Sequence, residues 1–215
     1  MKLEITKACA DSLRAFTQNN YGIQLKSSHS HEIVAAYFGY SSRVALLADK
    51  QCPIDRLTEA EIIILNTPTL FVDQRLKALE NLPSELPDSD TLAEGVYAPI
   101  VADEQFLGKI WPGFHEVAMA FAEERAYADL IMMGMNTKEL KWIIDLDIKT
   151  REFEVLMTVT FDYPAGANKP LRYSKVEITL PRISGDIGYG EPKVKPTFYN
   201  GHMSDPDFRR KHGID

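Results

Sequence analysis

The sequence predicts an α+β protein, with a helical N-terminal module followed by an antiparallel β-meander packed against helices. Three observations carry this expectation. Apolar residues recur at helical spacing, with capping signals, as far as Glu80. After Gly134 the apolar period changes from about 3.6 to 2. Between these regions, residues 82–91 read LPSELPDSDT, two prolines and three acids with little apolar content, the composition of an exposed connection. The expected division is therefore a helical module over residues 1–82 and an α+β domain with an antiparallel sheet over residues 90–215.

The first helix is justified by Ile5, Cys9, Leu13 and Phe16 at helical spacing, with Thr6 as its cap and Asn19, Asn20 and Gly22 as its stop. Ser28 or Ser30 caps a second helix that buries Ile33, Val34, Tyr37 and Phe38. Gly39 ends it, because glycine enters the left-handed conformation that a helix C-terminus favours. Ser41 or Ser42 restarts the chain as a third helix, with Val44, Leu46 and Leu47 facing inward. Beyond Pro53, Thr58 and Glu61 have the spacing of a capping box, flanked by Leu57 and Ile62 as a hydrophobic staple, which predicts a helix from about residue 59. Thr67 and Pro68 then open a helix running to Glu80.

Thr6, Ala10, Leu13 and Arg14, with Leu25, Ser28, His29, Glu32, Val34, Ala35, Gly39, Tyr40, Ala45 and Leu46, form a pattern that resembles a short helical module. That module occurs in proteins of plasmids and integrative elements and is sometimes labelled glyoxalase-related. The resemblance covers about a fifth of the chain. It implies an accessory role within a mobile genetic element rather than an enzyme assignment, since the metal ligands of a glyoxalase are not reproduced.

In the middle of the chain, Thr91 and Glu94 suggest a capped helix interrupted at Pro99. Pro112 and Gly113 precede a long helical pattern through Phe114, Val117, Phe121, Ala128 and Ile131. Trp142, Ile144, Leu146 and Ile148 then alternate with Ile143, Asp145 and Asp147, and Phe153, Val155, Met157, Val159 and Phe161 with Glu154, Leu156, Thr158, Thr160 and Asp162, which predicts a β-hairpin with one buried face. Val176, Ile178 and Leu180 supply a third strand, and Thr197 to Tyr199 an edge strand. The Gly-rich segment 184–190 reads as a flexible loop, and the tail SDPDFRRKHGID as mobile.

Length and composition bound the function. A chain of 215 residues, 45% apolar and 26% charged, is ordinary globular material with enough apolar residues for a core. It has no apolar run of the roughly 18 residues needed to span a bilayer, and its N-terminus lacks the apolar stretch of a secretion signal, so a cytoplasmic protein without membrane association is expected. Cys9 and Cys52 are then expected to be reduced and inert. The net charge of −7 resides in the middle: residues 82–136 carry two Lys/Arg against ten Asp/Glu, while the flanking regions are nearly neutral. This disfavours nucleic acid as a partner of the whole chain.

The candidate sites are few. His29, His31 and Glu32 are the densest group of metal-ligand types, but helical geometry turns His29 and His31 apart by about 200°. Ser41, Ser42 and Arg43 occupy the start of what would be the second helix of a helix-turn-helix, where DNA contact is conceivable. Between residues 20 and 50, however, only Lys26, Arg43 and Lys50 are basic. His115 and Glu116 begin a zinc-protease-like HExxH whose last position is Met119. His202, beside Asp205 and the segment 184–190, completes the weak catalytic set. Asp145, Asp147, Glu154 and Asp162 share the polar face of the expected sheet. No cofactor is implied. The leading expectation is a non-enzymatic binding or accessory protein acting through a protein partner, with a DNA-binding regulator second and a histidine-based enzyme third.

Overall fold

The computed structural model describes residues 5–65, 70–132, 143–163 and 171–201. The described chain is α+β, with a helical N-terminal region and a mixed sheet. It divides into two compact units: residues 1–114 with 181–191, and residues 115–180 with 192–215. No helix among the described residues is long and apolar enough to cross a membrane.

In the first unit, α1 (Ile5–Tyr21), α2 (Ser27–Tyr37), α4 (Leu70–Ala78) and α5 (Ser89–Ala102) enclose one apolar core, with the short α3 (Arg43–Ala48) following α2. The helix α1 buries Ile5, Cys9, Ala10 and Leu13 on one stripe and packs against α2 and α5. Because α5 begins at Ser89, within residues 82–91, and packs on α1, the expected boundary falls inside this unit. The capping details also differ from expectation. Lys26 occupies the N-cap of α2 without a side-chain bond, while the Ser30 hydroxyl donates back to the Ser27 carbonyl. Asp88 rather than Thr91 caps α5, its carboxylate accepting from the Thr91 N–H at 2.8 Å, and that helix continues through Pro99.

The largest correction lies at residues 54–65. The capping box and staple predict a helix there, but residues Ile54–Glu59 form a 3-10 turn and Ile62–Ile64 form strand β1. The backbone donors that a helix would use internally are taken by distant partners. Glu61 N–H reaches Tyr189 O, Ile63 N–H reaches Lys109 O, and Ile64 N–H reaches Ile187 O. Three consecutive isoleucines, all buried, suit a central strand covered on both faces better than a helix with a polar side.

Strand β1 pairs in parallel with β2 (Ile110–Trp111) and antiparallel with β6 (Gly188–Tyr189). The sheet is thus mixed, and the expectation of an antiparallel meander is corrected, because β1 and β2 extend it with a parallel pair. The second unit contains α6 (Phe114–Met132, entered at its first residue from the other unit) and the antiparallel strands β3 (Ile143–Thr150), β4 (Glu154–Tyr163), β5 (Leu171–Ser184, whose last residues belong to the first unit) and β7 (Lys193–Gly201). The expected hairpin is present as β3 and β4, with Ile144 opposite Phe161 and Ile148 opposite Met157. Val155, Met157, Val159 and Phe161 are buried on one face, as their alternation requires.

The segment 184–190, expected to be a flexible loop, is instead the buried tip of the hairpin formed by β5 and β6. Its return arm is continued by β7, which pairs with β5 from Thr179 opposite Lys193 to Leu171 opposite Gly201. The tip rests on the C-terminus of α2. Gly39 there has φ +89° and ends α2 with paired bonds, Gly39 N–H to Ala36 O and Tyr40 N–H to Ala35 O, a Schellman arrangement. A Cβ on Gly39 would overlap the Asp186 carboxylate, so the close approach needs glycine as much as the backbone angle does.

Gly22 provides the control, since its φ is +69° but nothing lies within 4 Å of the Cβ position. Gly22→Ala should therefore lose about 1 kcal/mol, the left-handed penalty alone. Gly39→Ala should lose about 2 kcal/mol or more, since steric displacement of Asp186 adds to that penalty. Urea unfolding midpoints of the two variants measure the difference; equal losses would show that the tip gives way without cost.

Candidate functional site

Polar and titratable side chains converge around this docked tip. Three chain segments supply them. The turn after α2 contributes Tyr40, the segment after α3 contributes Asp49 and Cys52, and the hairpin contributes Arg182, Asp186 and Tyr189. The Tyr40 hydroxyl lies 2.8 Å from both Asp49 Oδ2 and the Cys52 carbonyl. Asp49 Oδ1 accepts the N–H groups of Gln51 and Cys52 at 2.8 and 3.2 Å. Arg182 donates through Nε to the Gly185 carbonyl at 2.6 Å and pairs through Nη2 with Asp186 Oδ1 at 2.9 Å. Backbone bonds then join the segments: Asp186 N–H donates to Phe38 O, and Gly185 N–H to Cys52 O. The Ser184 hydroxyl lies 3.2 Å from the carbonyls of Pro53 and Ile54.

Electrostatics separates the two aspartates. Burial pushes the Asp186 carboxyl above its ordinary value, against the opposing pull of the Arg182 charge. Burial acts in the same direction on Asp49, but hydrogen bonds from Gln51, Tyr40 and Cys52 outweigh it and hold that carboxyl below the usual range. Burial raises the Cys52 thiol, again against Arg182, and pushes Cys9 up to about 12. Both cysteines are free and buried, so neither presents the accessible thiolate that nucleophilic or redox chemistry requires. The Tyr40 and Tyr189 hydroxyls are raised by burial and are neutral hydrogen-bonding groups. This constellation is suited to fastening a hairpin tip to a helix end. It has no activated nucleophile.

The sequence candidates lie elsewhere and do not converge. His29 is buried, at 8% exposure, while Glu32 forms an ion pair of 2.6 Å with Arg75 of α4 and accepts the Arg43 N–H at 3.1 Å. His31 is half-buried and has interactions of its own. No group of three or more metal-ligating side chains is gathered among the described residues. The carboxylate required of Glu32 as a ligand is already engaged with Arg75.

His115 and Glu116 are exposed in the first turn of α6, and neither has a hydrogen-bond or ion-pair partner among the described residues. A general base needs a partner and a sheltered site, so this pair does not qualify. His202 and Asp205 lie outside the described residues, as does the tail. Asp145 and Asp147 are exposed, Asp147 pairs with Lys149 at 2.9 Å, and Glu154 pairs with Arg151 at 2.7 Å, which is the pattern of a solvated strand face. Asp162 contributes its backbone to the ladder opposite Ile143.

Ser41, Ser42 and Arg43 stand at the start of α3. The Ser42 hydroxyl accepts the Ala45 N–H at 3.1 Å, so it serves as the helix cap, whereas Ser41 and Arg43 are exposed. Of the three apolar residues expected to face inward, only Leu46 is buried. Val44 and Leu47 are 75% and 65% exposed. The helix is six residues long, less than two turns, which limits the number of base edges it can reach in a groove.

Two substitutions test the polar cluster. Tyr40→Phe should cost about 1–3 kcal/mol, since it removes a buried hydroxyl shared by a carboxylate and a carbonyl. A depressed carboxyl stabilises the fold above its ordinary pKa, and that contribution is lost as pH falls through the folded value. The variant should therefore show a shallower acid-side loss than the parent. Asp186 has the opposite sign. Its raised carboxyl favours the fold at low pH and disfavours it as pH rises through the folded value, so Asp186→Asn should gain stability relative to the parent across that rise. Chemical denaturation as a function of pH reads both slopes; parallel curves for parent and variants would refute the assignment. Comparison of the chain with known protein families, characterised proteins and solved structures finds no match.

Proposed function

We propose that this chain is a non-enzymatic binding or accessory protein that acts through contact with a protein partner. One observation carries the reading. Val44 and Leu47, one helical turn apart on α3, are both largely exposed on an element whose position is firmly held. Leu46 anchors the helix in the core, Ser42 caps it, Glu32 accepts the Arg43 N–H, and Asp49 at its end is bound to Tyr40. Scattered apolar side chains on a surface are ordinary, but an adjacent pair on a fixed support is pre-organised for a partner and loses little entropy on binding. The resemblance of the N-terminal module to proteins of plasmids and integrative elements supports a partner belonging to such an element.

A second reading, contact with duplex DNA, is favoured by the exposure of Ser41 and Arg43 at the same helix start. It is opposed by the small number of basic residues nearby and by the acidic middle of the chain.

Affinity capture from the source cell, with the full chain as bait, tests the first reading. A reproducible partner should be recovered by the parent and lost with the double substitution Val44→Ser and Leu47→Ser. Because both side chains are exposed, that variant should unfold within about 0.5 kcal/mol of the parent. No reproducible partner, together with turnover in a broad substrate screen, would overturn the reading in favour of an enzyme. Fluorescence anisotropy with mixed-sequence duplex at low salt addresses the second reading: binding that weakens with Arg43→Ala and with added salt would support DNA contact, and no binding at micromolar protein would retire it.

A further inference from the structure

Strand β3 carries a pattern that fits a second copy of itself. Among the described residues it is the last strand of the sheet and pairs only with β4. The Arg151 N–H donates to the directly opposite Glu154 carbonyl, so Arg151 and Glu154 are a hydrogen-bonded pair of the antiparallel ladder. Alternation then gives Lys149, Asp147, Asp145 and Ile143 to β4, and turns the backbone N–H and C=O groups of Ile144, Leu146, Ile148 and Thr150 toward the open edge. The strand has eight residues and contains no proline, so this edge can accept a full ladder.

Side chains on the two faces agree with this. Ile144 and Ile148 are 43% and 40% exposed, although their opposite neighbours Phe161 and Met157 are fully buried, so the apolar face of the sheet is incompletely covered at β3. On the other face the charges reverse along the strand: Asp145 and Asp147 come first, then Lys149, followed by Arg151 at the turn. A strand that is acidic at one end and basic at the other is complementary to itself when the second copy runs antiparallel.

We propose that two copies of this chain associate by antiparallel pairing of β3 with β3, about a two-fold axis at Ile148. In this register Asp147 faces Lys149 of the second copy, Asp145 faces Arg151, and Leu146 faces Thr150. The backbone pattern is consistent, because Ile148, Leu146 and Thr150 are the residues whose N–H and C=O groups point outward. Charge selects this register over its neighbours. Moving the axis to Leu146 sets Asp145 against Asp147, and moving it to Asp147 sets that aspartate against itself; like charges directly opposite are unfavourable. The pairing also makes the half-exposed apolar rows of the two copies continuous. The interaction is separate from the α3 surface and does not depend on the function proposed for it.

Sedimentation velocity of the full chain, over a series from low micromolar to hundreds of micromolar, tests the proposal. The parent should show a monomer–dimer equilibrium that weakens with salt. Lys149→Asp replaces two attractive cross-strand pairs by two repulsive ones and should weaken dimerisation about tenfold or more; Asp147→Lys should do the same. The exchange of both, Asp147→Lys with Lys149→Asp, restores complementarity and should restore the dimer. Both substituted positions are exposed, and far-UV circular dichroism with urea midpoints verifies that each of the three variants is folded. A parent that stays monomeric throughout the series overturns the proposal, as does a dimer that both single substitutions leave intact or one that the double exchange fails to recover.

Discussion

The docking of the hairpin tip on the end of α2 is the contact on which the first unit depends. Gly39 closes the helix, accommodates the Asp186 carboxylate where any other residue would place a Cβ, and turns the chain toward α3. Ile187 and Tyr189 then supply acceptors for the strand of isoleucines, and Arg182, Asp186 and Tyr189 brace the tip from within, Tyr189 through a 2.7 Å bond from its hydroxyl to the Asp186 carbonyl. A segment far along the chain therefore completes the core of the N-terminal helices. Removing it would expose Phe38, Leu57 and Ile63 to water and leave the N–H groups of Glu61 and Ile64 without partners.

The same contact explains why the polar residues at this place have a structural character. A charge taken out of water requires a partner, and Asp186 has Arg182; Asp49, which is only half-buried, has two backbone donors and a tyrosine hydroxyl. Burial meanwhile pushes both thiols above their ordinary values. On the surface of the first unit, α3 is fixed at its base by Leu46 and exposes Val44, Leu47 and Arg43.

Features governed by neighbours in sequence were legible without coordinates. Gly39 was readable as a helix end, Ser42 as one of two caps, and the β3–β4 hairpin from its alternation, because each depends on residues within one turn or one strand. The failures share a cause. Thr58 and Glu61 have the spacing of a capping box, yet the N–H of Glu61 and those of Ile63 and Ile64 in the helix it would open bond to Tyr189, Lys109 and Ile187, residues that no local window contains. The Gly-rich tip looked like a loop because its partners, Phe38, Cys52 and Pro53, lie more than 120 residues earlier. The polar cluster was missed for the same reason, since Tyr40, Asp49, Arg182 and Asp186 form no motif in linear order. Its one local trace is Gly39, which signals close backbone approach but not what approaches.

The sequence by itself determined the α+β class, the helical N-terminal region, the hairpin and the concentration of negative charge in the middle of the chain, all of which follow from periodicity, capping chemistry and composition. Only the tertiary structure decided that the isoleucine run is a central strand, that the Gly-rich segment is a buried tip, and that Val44 and Leu47 face outward while Leu46 faces in. A backbone donor or an apolar side chain can be satisfied by any of several partners, and sequence spacing identifies the near ones alone. When two distant segments satisfy three donors and close an apolar core at once, their cooperative gain exceeds the roughly 1 kcal/mol that a local cap can contribute.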